Sequence, residues 1–76
     1  MGKKSLKTLA KELDFINELE YYDYIINSHT NGQPQQGKEL FQVMKKEDQK
    51  SFLKYIKSES NSDLYQQLYN IYFNLL

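Results

Sequence analysis

Lys46, Lys50, Lys54 and Lys57 follow one another at intervals of four, four and three residues. On a helix that spacing gathers their ammonium groups on one face. Such a row could lie along phosphates or along an acidic protein surface, with Gln49, Ser51 and Ser58 as extra hydrogen-bond donors. The plainer reading is a solvated helix face. All ten basic residues are lysine, so the guanidinium fork that reads guanine or clamps phosphate is missing. Ten lysines balance ten acids, which leaves no global positive field to draw in a polyanion.

Aromatic side chains form the second chemical set. Seven tyrosines and four phenylalanines are many for 76 residues. Tyrosine suits an interface core, because its ring is apolar and its hydroxyl still finds a partner. Tyr21, Tyr22, Asp23 and Tyr24 span most of a helical turn, so their three rings cannot all face one core. Tyr69, Phe73 and Leu76 carry apolar character round the flank of the last helix. The acids Glu18, Glu20 and Asp23 beside the first group favour a basic partner or a lysine-rich face of another copy over nucleic acid.

The sequence contains one histidine, His29, and no cysteine. A single histidine is not a metal set, and nothing in the sequence places a nucleophile or an orienting acid beside it. Its expected role is structural or solvent-exposed. Glu20 and Asp23 have the spacing of a solvated helix face. No catalytic, cofactor-binding or metal-ligating residues are therefore expected, and the chain reads as a non-enzyme.

The elements that would carry these groups are all helical. Ser5 is a candidate N-cap for a long helix over about 6–28, which carries two apolar stripes. Leu6, Leu9, Ala10, Leu13 and Ile16 make one; Phe15, Leu19, Tyr22 and Ile26 make the other, about 140° away at helical pitch. The helix must serve different partners along its length or bend near Asp14–Asn17. Asn31-Gly32, Pro34 and Gly37 mark a polar loop over 28–37. A short helix 38–45, a tight corner and a helix 47–58 follow. In a DNA-binding helix pair, Glu47-Asp48 would open the second helix and repel phosphate. Ser60 with Asp63 forms a capping-box pattern, with Ser62 as a competing N-cap, for a last helix over 62–76. Leu64, Leu68, Ile71 and Leu75 of that helix are the expected core contacts.

The fold expected is thus all-α: one domain over 1–76, a small bundle of four helices in orthogonal or irregular packing. No apolar run suggests a secretory signal or a membrane span, and the lack of cysteine suits the cytoplasm. The expected function is protein–protein interaction or regulation through an aromatic and acidic helical surface. Its candidate residues are Tyr21, Tyr22, Asp23, Tyr24, Tyr69, Phe73 and Leu76. The expected partner is a protein, with a homodimer through the last helix as one form. A DNA- or RNA-binding module using Lys46, Lys50, Lys54 and Lys57 is the weaker alternative.

Overall fold

Ser5 opens the first helix, its hydroxyl accepting the Thr8 N–H at 3.3 Å, and α1 runs Leu6–Glu12. The computed structural model describes residues 3–59 and 63–76. Its further helices are α2 (Leu19–Thr30), α3 (Pro34–Gln42), α4 (Lys46–Ser58) and α5 (Asp63–Leu75). Among the described residues the bundle is all-α, with five helices where four were expected. Its Cα radius of gyration, 11.5 Å, is close to the value of about 11 Å expected of a compact chain this long.

The helix expected over 6–28 is two helices, and the hydrogen bonds at residues 13–18 say why. Asp14 adopts a left-handed conformation, φ 60°. Its N–H donates to Lys11 O (3.1 Å) and that of Phe15 to Ala10 O (2.9 Å). These are the paired bonds of a Schellman motif, which ends a helix. Asn17 and Glu20 then start the next one. The Glu20 N–H donates to Asn17 Oδ1 (3.2 Å), and the Glu20 carboxylate accepts the N–H groups of Ile16 and Asn17. This reciprocal capping box turns the chain. The two offset stripes therefore belong to two helices that share one core. Leu13, Ile16 and Leu19, counted among those stripes, fall at the break and are exposed.

The next boundaries move as well. Helix α2 continues to Thr30, and α3 begins at Pro34 where a helix over 38–45 was expected, so the connection shrinks to residues 31–33. Gly32, φ 77°, closes α2 by a second Schellman motif, through Gly32 N–H to His29 O and Gln33 N–H to Ser28 O. Proline at N1 then starts α3 at once, since the amide hydrogen it lacks has no helical partner there. Helix α3 stops at Gln42 because the following corner is bound elsewhere. Lys4 N–H donates to Val43 O (2.9 Å) and Lys45 N–H to Lys4 O (3.1 Å). The buried Gln49 amide caps Phe41 O and Met44 O, both at 3.1 Å. Helix α4 starts at Lys46, one residue before the expected boundary, and its Asp48 carboxylate also accepts the Leu6 N–H at 2.9 Å. One acid thus complements the positive ends of both α4 and α1.

An aromatic cluster fills the centre. The Phe41 and Tyr72 rings lie 4.7 Å apart, Phe52 and Tyr72 5.4 Å, and Tyr22 and Phe52 5.2 Å. Helix α5 meets this core through Leu64, Leu68 and Leu75, as expected, but with Tyr72 in the place expected of Ile71. Leu68 and Tyr72 are buried, Leu64 and Leu75 are partly buried, and Ile71 is 36% exposed. Tyr72 displaces Ile71 because its ring completes the cluster while its hydroxyl reaches His29. The Ser60–Asp63 capping pattern and the Ser62 cap lie outside the described residues.

Candidate functional site

Helices α4 and α5 bring together residues that the sequence had assigned to different functions. Lys50, Lys54 and Lys57 line one side of a shallow groove of about 260 Å³; Tyr69, Phe73 and Leu76 line the other, with Leu53 at its base. The rings of Tyr69 and Phe73 stack at 5.9 Å with 11° between their planes. Lys57 Nζ stands 6.0 Å from the Tyr69 ring centroid, a cation–π distance. Phe73 remains 56% exposed. Lys46, at the first position of α4, does not line the groove.

The lysines of the groove have no carboxylate partner among the described residues, where the one ion pair is Lys4–Glu12 at 2.8 Å. That pair is half exposed and contributes little to stability. The groove is therefore cationic on one wall and aromatic on the other.

The first-helix candidates divide. Tyr21 and Tyr22 are core residues, and the Tyr21 O–H donates to Leu40 O at 2.7 Å. Asp23 and Tyr24 lie at the surface of α2, with Asp23 exposed and Tyr24 half-buried. Asp23 accepts the Tyr55 O–H at 3.3 Å, and the Tyr24 hydroxyl accepts the Gln36 amide at 2.9 Å. Phe15 meets Tyr24 edge-on at 5.8 Å. With Glu20 and Asn27 they border a second hollow of about 280 Å³, whose charged groups are both carboxylates.

His29 stands at neither surface. It is half-buried at the end of α2, where Nε2 is hydrogen-bonded to the hydroxyl of fully buried Tyr72, the direction of the bond following the imidazole tautomer. Burial, then the Lys38 charge, lowers the His29 pKa from 6.5. Burial raises the Tyr21 and Tyr72 phenols well above their usual value. Tyr22 is pushed up to about 12 by burial, then by Asp48 and Glu18. Burial and then Asp23 raise Tyr55. These phenols stay protonated near neutral pH, and those of Tyr21, Tyr55 and Tyr72 serve as hydrogen-bonding groups.

The sequence did not single out the His29–Tyr72 pair, although the i, i+4 spacing of Leu68 and Tyr72 was there to be read. The groove was also beyond it, because which face of α4 meets α5 is a tertiary fact. Among the described residues no group of histidine and carboxylate side chains is placed to hold a metal ion, and no helix is long and apolar enough to cross a membrane. Comparison with family models, with curated proteins and with solved structures finds no match for this chain.

Proposed function

We propose that this chain is a non-enzymatic, cytoplasmic protein-binding module whose α4–α5 groove takes an acidic segment bearing apolar side chains. One observation carries the reading: Lys50, Lys54 and Lys57 share a groove with the partly exposed Tyr69–Phe73 stack. Aromatic rings beside cations that have no carboxylate partner among the described residues offer apolar contact and charge steering together. Of the residues expected on an aromatic and acidic surface, Tyr69, Phe73 and Leu76 line this groove and Asp23 and Tyr24 lie on α2.

The same stack favours a second reading, since bases stack on exposed rings beside lysines in single-strand-binding grooves. Three features weigh against it: the balanced charge, the lack of arginine, and Glu47 and Asp48 at the start of the same helix. A titration of isotope-labelled protein separates the readings. A designed amphipathic peptide of glutamate, leucine and phenylalanine is expected to shift the signals of Lys54, Lys57, Tyr69 and Phe73. Lys54→Glu combined with Phe73→Ala should weaken it by about tenfold or more. Tighter binding of oligothymidylate through those residues at physiological salt would transfer the groove to nucleic acid. No response to either probe would remove the groove from consideration.

A further inference from the structure

Helix α2 carries on its outside what the groove lacks. Ile16 is 92% exposed and Leu19 50%, a pair of large apolar side chains at the start of the helix. Asp23 and Asn27 continue the Leu19 line at intervals of four, while Glu20 and Tyr24 run beside it. Ile16 also borders a hollow lined by Lys7, Lys11 and Glu18, whereas the neighbouring hollow on α2 has Glu20 and Asp23 as its charged groups.

We infer that the occupant of the α4–α5 groove is this α2 face of a second copy of the chain, which makes the protein a two-fold dimer. The inference rests on the groove reading and names its partner. Charge complementarity selects the pairing: Glu20 and Asp23 are carboxylates, whereas Lys50, Lys54 and Lys57 are cations without carboxylate partners among the described residues. Two α2 faces, or two grooves, would set like charges against each other. Apolar groups match as well, Ile16 and Leu19 on one side with Phe73 and Leu76 on the other. Lengths agree, since α2 has 12 residues and α4 and α5 have 13 each.

The two surfaces also border one another. Tyr55 of α4 hydrogen-bonds Asp23 of α2, while Lys54 and Lys57 of α4 line the groove with α5. Neighbouring complementary patches close under a two-fold axis, with each α2 face seated in the other copy's groove. A head-to-tail pairing would leave one patch of each kind open at the ends.

Sedimentation equilibrium of the full chain, from micromolar to millimolar concentration, tests this. The mass should rise from 9.1 kDa to twice that and no further, with weaker association at high salt. Asp23→Lys with Asn27→Lys makes the α2 face basic; Lys54→Glu with Lys57→Glu makes the groove acidic. Each variant alone should associate about tenfold or more weakly, and an equimolar mixture should recover the dimer, which also shows that both fold. A nitroxide on Ile16→Cys of one copy should broaden the Phe73 and Leu76 signals of another, which reads the contact without charge reversal. A monomer that still binds the acidic peptide overturns the dimer and leaves the groove reading intact. Open-ended growth, a dimer indifferent to both variants, or broadening elsewhere also overturns it.

Discussion

Gly37 lies in the middle of α3, where alanine would ordinarily be favoured by about 1 kcal/mol. A Cβ there would stand 2.6 Å from the Tyr72 hydroxyl and 2.9 Å from the His29 ring. Neither neighbour can retreat freely: Tyr72 is fully buried in the aromatic cluster, and its hydroxyl is bound to His29. Overpacking of this kind costs about 1–3 kcal/mol, so Gly37→Ala should destabilise the protein by up to about 2 kcal/mol net. Urea denaturation measures it, and an alanine variant at least as stable as the parent would show that the contact yields. The sequence made Gly37 look like the end of a loop because Asn31-Gly32, Pro34 and Gly37 occur close together. Only Asn31-Gly32 turns the chain; Pro34 starts a helix, and Gly37 makes room for two side chains remote in sequence.

At the scale of elements, the break between α1 and α2 depends on a residue held against its preference. Asp14 at φ 60° occupies the position where helices usually place glycine. Most side chains cost about 1–2 kcal/mol in that conformation, aspartate at the low end because its short polar group tolerates it, and in a glycine variant the gain is partly offset by the freer unfolded chain. Asp14→Gly should therefore stabilise the protein by about 0.5 kcal/mol at most and raise its Tm by a few degrees or less. Asn17→Ala, which removes the cap of α2, should cost about 1 kcal/mol. Thermal unfolding of both variants checks the pair. A stabilising Asn17→Ala, or a destabilising Asp14→Gly, would mean that the break is set by packing and not by these caps. The residues of this turn were legible in sequence, since Asn17 and Glu20 have capping-box spacing. They were outweighed by apolar periodicity that continues across them. Leu13, Ile16 and Leu19 kept that periodicity but belong to a surface, and a repeat of apolar residues does not say which partner it faces. The helical class, by contrast, follows from the periodicity of each segment alone.

For the whole molecule, stability should depend on acidity through His29. The histidine contacts Tyr72 from the end of α2 and feels Lys38 of α3, so three helices meet at one titrating group. Its folded-state pKa lies below 6.5. Between the two values the unfolded chain therefore binds more protons than the folded one, and stability rises with pH. The His29 contribution is fully present above the unfolded value of about 6.5, declines as pH falls through that window, and levels off below the folded value. The position of His29 near the C-terminal end of α2 would favour the charged ring, but burial is the larger effect and Lys38 acts with it. The measurement is the urea midpoint from neutral to mildly acidic pH, for the parent and for His29→Gln. Glutamine keeps a hydrogen-bonding group opposite the Tyr72 hydroxyl but does not titrate, so the variant should lose this part of the slope. An equal slope in both proteins, or a parent that gains stability on acidification through that window, would assign the pH dependence to other groups and leave His29 as a packing residue.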